Sequence, residues 1–273
     1  MTPASLRAAL PSWRDTPARA VLVDFLQEVT EGETAVPAEQ RLAAFDNDGT
    51  LSPEKPESSL TAFLRTLPPA PEMPAATGPA ATDAQEQLAA RCNGLTVQEF
   101  EERAESFLRA ARHPALNRTW PTLTYVPMIE LLDLLRALEF SVYIVSAGSR
   151  DFLRAMAATA FGATREHVIG TDVEIDYREG RLVRTDRLIP RDRGPGKPAH
   201  IWDRSGQVPL LAAGNTTGDR EMLECARFAL LIDHDDAERE YSYRDDQALR
   251  VASERGWTTV SMRRDFAAVF REV

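Results

Sequence analysis

Apolar positions along the chain follow two periods. Residues 5–10 and 18–26 space their apolar side chains as helices do, and so do residues 58–67, 82–92, 96–111, 128–138 and 151–160. Between and after these stretches lie short unbroken apolar runs at residues 42–45, 141–146, 168–170, 209–213, 228–232 and 257–261, each of the length of a buried strand. Thr96-Val97-Gln98-Glu99 has the form of a capping box, with Thr96 as N-cap. Tyr177-Arg178-Glu179-Gly180-Arg181 predicts a hairpin turn, and residues 219–225 and 237–255 predict two further helices. Strands alternating with helices imply an α/β fold with a doubly wound, mostly parallel sheet.

The alternation is interrupted once. Residues 53–82 are rich in Pro and Ala, and Leu67-Pro68-Pro69-Ala70-Pro71 can continue neither a helix nor a central strand. The helical patterns on either side of it place an inserted, mainly helical unit at residues 53–122, between the first two core strands. Residues 1–52 and 123–273 then form the core. A length of 273 residues suits one core domain with a smaller insert.

Composition narrows the class of ligand. The formal net charge is −10, which disfavours binding to a phosphate backbone and leaves a small molecule as the expected partner. No apolar run approaches the ~18 residues of a membrane span, and Met1-Thr2-Pro3-Ala4-Ser5 lacks the basic and apolar regions of an export signal. A soluble cytoplasmic protein is expected, with no membrane and no nucleic acid among its partners. Cys92 and Cys225 lie in dissimilar contexts without a metal-ligand spacing and are expected to be reduced packing residues. All but two of the 32 Lys and Arg residues are arginine. In so Arg-biased a chain, Lys55 and Lys197 stand out as positions where a compact ammonium is needed.

The chemistry collects where strands end. Residues 42–45 run into Asp46-Asn47-Asp48-Gly49-Thr50, residues 141–146 into Ser146-Ala147-Gly148, and residues 209–213 into Gly214-Asn215-Thr216-Thr217-Gly218-Asp219. Lys197 precedes that last strand, in the Gly- and Pro-rich loop 193–198. In an open parallel sheet all of these fall on one edge, where ligands sit. Carboxylates about 4 Å apart repel by several kcal/mol at an effective dielectric of about 20, so the cluster requires a cation. Oxygen ligands without His or Cys select a hard ion, Mg²⁺. A magnesium ion, a carboxylate, the amides of a small-residue turn and a lysine together make a phosphate site containing a nucleophile.

In their order and spacing these four stretches resemble the motifs of the haloacid dehalogenase superfamily, in its phosphoserine-phosphatase-like branch with a helical cap. The resemblance spans residues 42–233 and implies a Rossmann-like core under a cap. It further implies that Asp46 is the nucleophile, forming an aspartyl-phosphate, and that Asp48 is the general acid and then the general base. By the same resemblance Ser146, Ala147, Gly148 and Lys197 hold phosphoryl oxygens, and Mg²⁺ is bound by Asp46, Asp48, Asn215 and Asp219. The implied substrate is a small phosphorylated metabolite. The chain departs from the pattern twice. Asn215 stands where many relatives carry Asp, and Lys55, flanked by Glu54 and Glu57, stands where phosphoserine phosphatases place a substrate-reading Glu. Lys55 is therefore either a substrate contact or a solvent-facing lysine at the cap hinge.

Two other readings use the same residues: phosphoryl transfer to a second alcohol, as in a mutase or phosphotransferase, and a catalytically silent module that binds a phospho-ligand. Asp48 argues against the second, since binding requires no general acid. His113, His167, His200 and His234 show no ligand spacing and are expected in core or surface roles. Asp233-His234-Asp235-Asp236 is expected simply to open a helix, and Arg103, Arg109 and Arg112 to lie on a solvated helix face.

Overall fold

The computed structural model describes residues 1–69, 84–189 and 194–272. Helices α1 (Pro3–Ala8) and α2 (Pro17–Thr30) precede β1 (Leu42–Phe45). Between β1 and the next strand come α3 (Ser59–Thr66), α4 (Ala84–Arg91) and α5 (Val97–Ala110). Then follow α6 (Val126–Ala137), β2 (Ser141–Ser149), α7 (Arg150–Phe161), β3 (Val168–Arg178) and β4 (Arg181–Ile189). The last part comprises α8 (Gly196–Ser205), β5 (Leu211–Gly214), α9 (Arg220–Cys225), β6 (Phe228–Asp233), α10 (Asp246–Arg255), β7 (Thr258–Ser261) and α11 (Met262–Asp265).

The strands form one sheet in the order β4-β3-β2-β1-β5-β6-β7, parallel throughout except for the β3–β4 hairpin. β1 sits at its centre, and each of its four residues is buried, because alternate side chains enter two separate apolar layers. Ala43 and Phe45 face the larger layer, with Leu22 and Leu26 of α2 and Leu131 of α6. Leu42 and Ala44 face the smaller one, with Ile201 of α8, Met222 of α9 and Ala252 of α10. This two-sided covering is what a doubly wound sheet requires.

Among the described residues the segment between β1 and β2 contains helices and no strand, and its apolar residues Phe63, Leu88, Phe100 and Leu108 join the larger layer. Phe63 stacks on Phe152 of α7. Thr96 caps α5 with both halves of the capping box in place: Glu99 N donates to Thr96 Oγ1 at 3.1 Å, and Thr96 N to Glu99 Oε2 at 2.8 Å. On β4 the buried Arg184 lies 3.9 Å from the centre of the Phe100 ring and pairs with Asp151 of α7. Its amide donates to Leu95 O and its carbonyl accepts from Gly94 N, at 2.8 and 2.9 Å. The hairpin thereby extends the sheet into the helical segment.

Three local expectations change. Residues 237–245 are not helical. Tyr243 N donates to His234 O at 3.0 Å, so the chain doubles back after β6, and the Asp236 carboxylate takes the amides of Glu238 and Arg239 in a single turn. That stretch, Ala-Glu-Arg-Glu-Tyr-Ser-Tyr-Arg-Asp, has no apolar stripe to bury. Secondly, Lys197 lies in the first turn of α8 and not in a loop; Pro198 is tolerated there because first-turn amides have no intrahelical partner. Thirdly, β2 runs past Ser146 to Ser149, with a register shift against β3 between those residues. The hairpin turn is as expected, with Glu179 and Gly180 at φ +48° and +82°. Of the Pro- and Ala-rich stretch, residues 70–81 lie outside the described residues, as do Thr82 and Asp83 of the fourth predicted helix and Arg193 of the predicted loop. Among the described residues no helix is long and apolar enough to cross a membrane.

Candidate active site

Asp46 is the first residue past β1, and its amide continues the sheet ladder to Ala213 O of β5 at 2.9 Å. The chain then turns on itself. Asn47 O accepts the amides of Thr50, Leu51 and Ser52 at 3.2, 2.9 and 3.1 Å, and Gly49 N donates to Ser52 O at 2.7 Å. Gly49 has φ +81°, and a Cβ there would lie 1.9 Å from Asn215 Nδ2. Only glycine serves, both for the backbone conformation and for the approach of the loop after β5. Asn47 Nδ2 donates to Asp48 Oδ1 at 2.8 Å, which orients the second aspartate.

Lys197 joins three strand ends. From the start of α8 its ammonium reaches Asp46 Oδ1 at 2.6 Å, Asp219 Oδ1 at 2.5 Å and, more weakly, Val145 O of β2 at 3.4 Å. It is 2 % exposed. The other oxygen of Asp219 accepts the amides of Asn215 and Thr216, at 3.0 and 3.1 Å. Asp219 thus folds its own loop and anchors the lysine. On the next strand, Ser146 Oγ accepts Gly148 N at 2.9 Å. A Cβ at Gly148 would approach Leu60 of α3 and Gln85 of α4 to 3.7 and 4.0 Å, so the segment between β1 and β2 reaches this strand end.

The charges are out of balance. Burial and the neighbouring Asp219 push the Asp46 carboxyl well above the usual carboxylate range, against the opposing pull of Lys197. Asp48 is pushed up to about 7 by burial and then by Glu54, with Lys197 and the Asn47 hydrogen bond acting the other way. Burial alone would lower the Lys197 ammonium, but Asp219 and Asp46 outweigh it and hold it above its ordinary value. An acid that titrates near neutrality beside a buried carboxylate–lysine pair is equipped to pass a proton.

Asp46, Asp48, Ser146, Ala147, Gly148, Lys197, Asn215 and Asp219 therefore share one sheet edge. Lys55 is exposed at its rim, with Nζ 5.2 Å from the centre of the Tyr243 ring. Among the described residues no three His, Cys, Asp or Glu side chains converge as a metal-holding group. With Lys197 and the loop amides taking the Asp219 oxygens, the oxygens at this edge include the Asp46 carboxylate, the Asn215 amide and backbone carbonyls, a donor set suited to a hard ion that retains water.

Sequence reasoning missed two groups. Glu54 Oε1 accepts from Asn215 Nδ2 at 3.2 Å, and the same nitrogen lies 3.4 Å from the Tyr243 hydroxyl. Burial and Glu54 raise that phenol above its ordinary value, so it stays a donor. His234, Glu240 and Tyr125 form a second, buried group behind Gly49. Neither group has a local signature, since the residues of each come from distant parts of the chain.

Residues 43–224 match the family model described as haloacid dehalogenase-like hydrolase. Among solved structures, a protein of unknown function from Bordetella pertussis Tohama I is 23 % identical, with a TM-score of 0.56 over 81 % of this chain and 98 % of that one. A conserved, functionally unknown protein from Anaerococcus prevotii DSM 20548 is 14 % identical, with a TM-score of 0.60 over 92 % and 93 %. These two likenesses concern the fold. No curated protein matches the sequence.

Proposed function

The chain belongs to the haloacid dehalogenase-like hydrolases, and on that premise we propose that it is a magnesium-dependent phosphomonoesterase acting on a small phosphorylated metabolite. The observation that carries this reading is the Lys197 ammonium, 2.6 Å from Asp46 Oδ1 at the sheet edge, with Asp48 two residues away and titrating near neutrality. Lys197 engages one Asp46 oxygen and leaves the other to attack phosphorus. Asp48, protonated, delivers its proton to the departing alcohol oxygen. As the carboxylate it then takes a proton from the water that hydrolyses the aspartyl-phosphate. Lys197, Ser146 and the amides of Ala147 and Gly148 receive the phosphoryl oxygens, the Gly148 amide exchanging Ser146 Oγ for substrate.

Asp46, the Asp48 carbonyl and Asn215 would hold Mg²⁺, which when bound supplies positive charge to the transferring phosphoryl group. Asp219 contributes by fixing Lys197 and the Asn215 loop. Glu54 restores, beside Asn215, the negative charge that the amide lacks. Glu54→Gln should then weaken Mg²⁺ binding by roughly 10-fold or more in isothermal titration calorimetry, as expected when a hydrogen-bonded outer partner of a ligand is lost. Asn215→Asp in that background should restore it. Unchanged affinity in Glu54→Gln would remove Glu54 from the site.

Residues 53–122 would serve as the cap. Leu60 and Gln85 lie close to the strand end that presents Gly148, a placement that would limit the site to a small substrate and shield the phosphoryl group from bulk water. The decisive experiment has two arms, hydrolysis of p-nitrophenyl phosphate with and without EDTA, and a panel of phosphorylated metabolites ranked by kcat/KM. Release of phosphate that chelation stops is expected. Full activity without metal, or no activity on any phosphate ester, contradicts the reading.

A further inference from the structure

His234 directly follows β6 and takes no part in the chemistry above, yet it is only 2 % exposed and packs behind the turn that presents Asp48. Its Nε2 lies 2.6 Å from Gly49 O, and its Nδ1 lies 3.1 Å from Glu240 Oε2. A carbonyl oxygen only accepts, so Nε2 carries a hydrogen. At the other nitrogen stands a carboxylate, and the second oxygen of that carboxylate, Glu240 Oε1, accepts from Tyr125 OH at 3.0 Å. Burial first, and Glu240 next, hold the Tyr125 phenol well above its ordinary value, so it remains a donor and keeps Glu240 an acceptor. A neutral imidazole has one bare nitrogen, which only a proton on Glu240 Oε2 could satisfy, whereas an imidazolium donates at both nitrogens to the two acceptors that face it. Tyr243 stacks on the ring, with centroids 4.2 Å apart and planes 20° apart, and covers it while its hydroxyl accepts from Asn215 Nδ2 at 3.4 Å.

We infer that His234 is an imidazolium held by Glu240 and that it acts as a positioning residue: the strut Tyr125–Glu240–His234 fixes the Gly49 carbonyl and, through the Asn47–Ser52 turn, the direction in which Asp48 presents its carboxyl group. The inference rests on the reading of Asp48 as the proton shuttle. A proton carrier one residue from a mobile carbonyl would sample several orientations. A charge-assisted bond to that carbonyl removes them, and it does so from the side away from the substrate. The geometry also explains why two buried side chains, Tyr125 and Glu240, support a residue that never touches the reacting atoms: each bond in the strut satisfies the next.

The test joins a spectroscopic and a kinetic arm. In the full-length protein labelled with [15N]histidine, both ring nitrogens of His234 should resonate as protonated near neutral pH, and Glu240→Gln should convert Nδ1 to a bare nitrogen. His234→Phe should lower kcat by roughly 10- to 100-fold with KM nearly unchanged, the size of loss seen when an orienting partner is removed. His234→Gln, whose amide can still donate to Gly49 O, should recover most of that loss. A bare ring nitrogen in the wild-type protein overturns the charged strut, and a folded His234→Phe with wild-type kcat overturns the positioning role. If the variants do not fold, the wild-type ring nitrogens decide. Wild-type protein inactive on every phosphate ester would instead refute the phosphatase reading, and the ring nitrogens would still judge the strut.

Discussion

On the proposed mechanism, Asp46→Asn should abolish turnover, by about 10⁴-fold or more, as removal of a nucleophile does when the rest of the site remains. The amide matches the carboxylate in shape and its oxygen still accepts from Lys197, so the turn and the β1 ladder stay in place. What would disappear is the oxygen proposed to bond to phosphorus. Stability should move the other way. Asp46 holds its proton more tightly in the folded protein than in the unfolded chain, so the native state binds more protons between the two values and stability falls as pH rises through that window. The amide of the variant does not titrate and has no such slope. In metal-free buffer the variant should be at least as stable as wild type at pH 8, and the difference should shrink toward pH 4. Steady-state assay with circular dichroism and urea melts at both pH values checks both halves. Substantial phosphatase activity in the folded variant would remove Asp46 from its role.

Lys197→Met is the second large effect. The ammonium is buried between two carboxylates at 2.6 and 2.5 Å. Removing one member of such a cluster leaves its partners charged without compensation, a loss of about 3 to 5 kcal/mol. Methionine keeps most of the volume, so the deficit reports charge rather than a cavity. The sign of its pH dependence follows from the carboxylates left behind. Without Lys197 the Asp46 carboxyl is held up still further by burial and by Asp219, and protonation relieves it. The stability deficit should therefore be largest near pH 8 and shrink as pH falls toward 5. Catalysis should fall as well, since in the proposed mechanism the phosphoryl oxygens would lose their cation. Urea melts of equal depression at both pH values would mean that the lysine serves packing alone.

These expectations depend on contacts that differ in how openly the sequence announces them. β1 is legible to the residue, because four apolar side chains that satisfy two layers are followed at once by residues that strands disfavour. The α5 cap is legible because Thr96 and Glu99 are three residues apart and both bonds are local. α8 was hidden because Gly196-Lys197-Pro198 has the composition of a turn, and only the packing of Ile201 on the sheet makes it a helix. Residues 237–245 extended a helical pattern on paper. In the fold the chain instead returns to pair Tyr243 with His234, since that return buries the His234–Glu240 pair with its partners satisfied.

By itself the sequence determined the alternation of strands and helices apart from α8, the two-sided burial of the central strand and the strand ends at which acids, small residues and asparagine emerge. Those follow from periodicity and backbone preference, which act over a few residues. Only the tertiary structure decided that Lys197 bridges Asp46 and Asp219, that Glu54 faces Asn215, and that His234 holds Gly49. Each of these joins groups far apart in the chain, and their hydrogen bonds and charges take effect only where folding excludes water and sets a donor against an acceptor within about 3 Å.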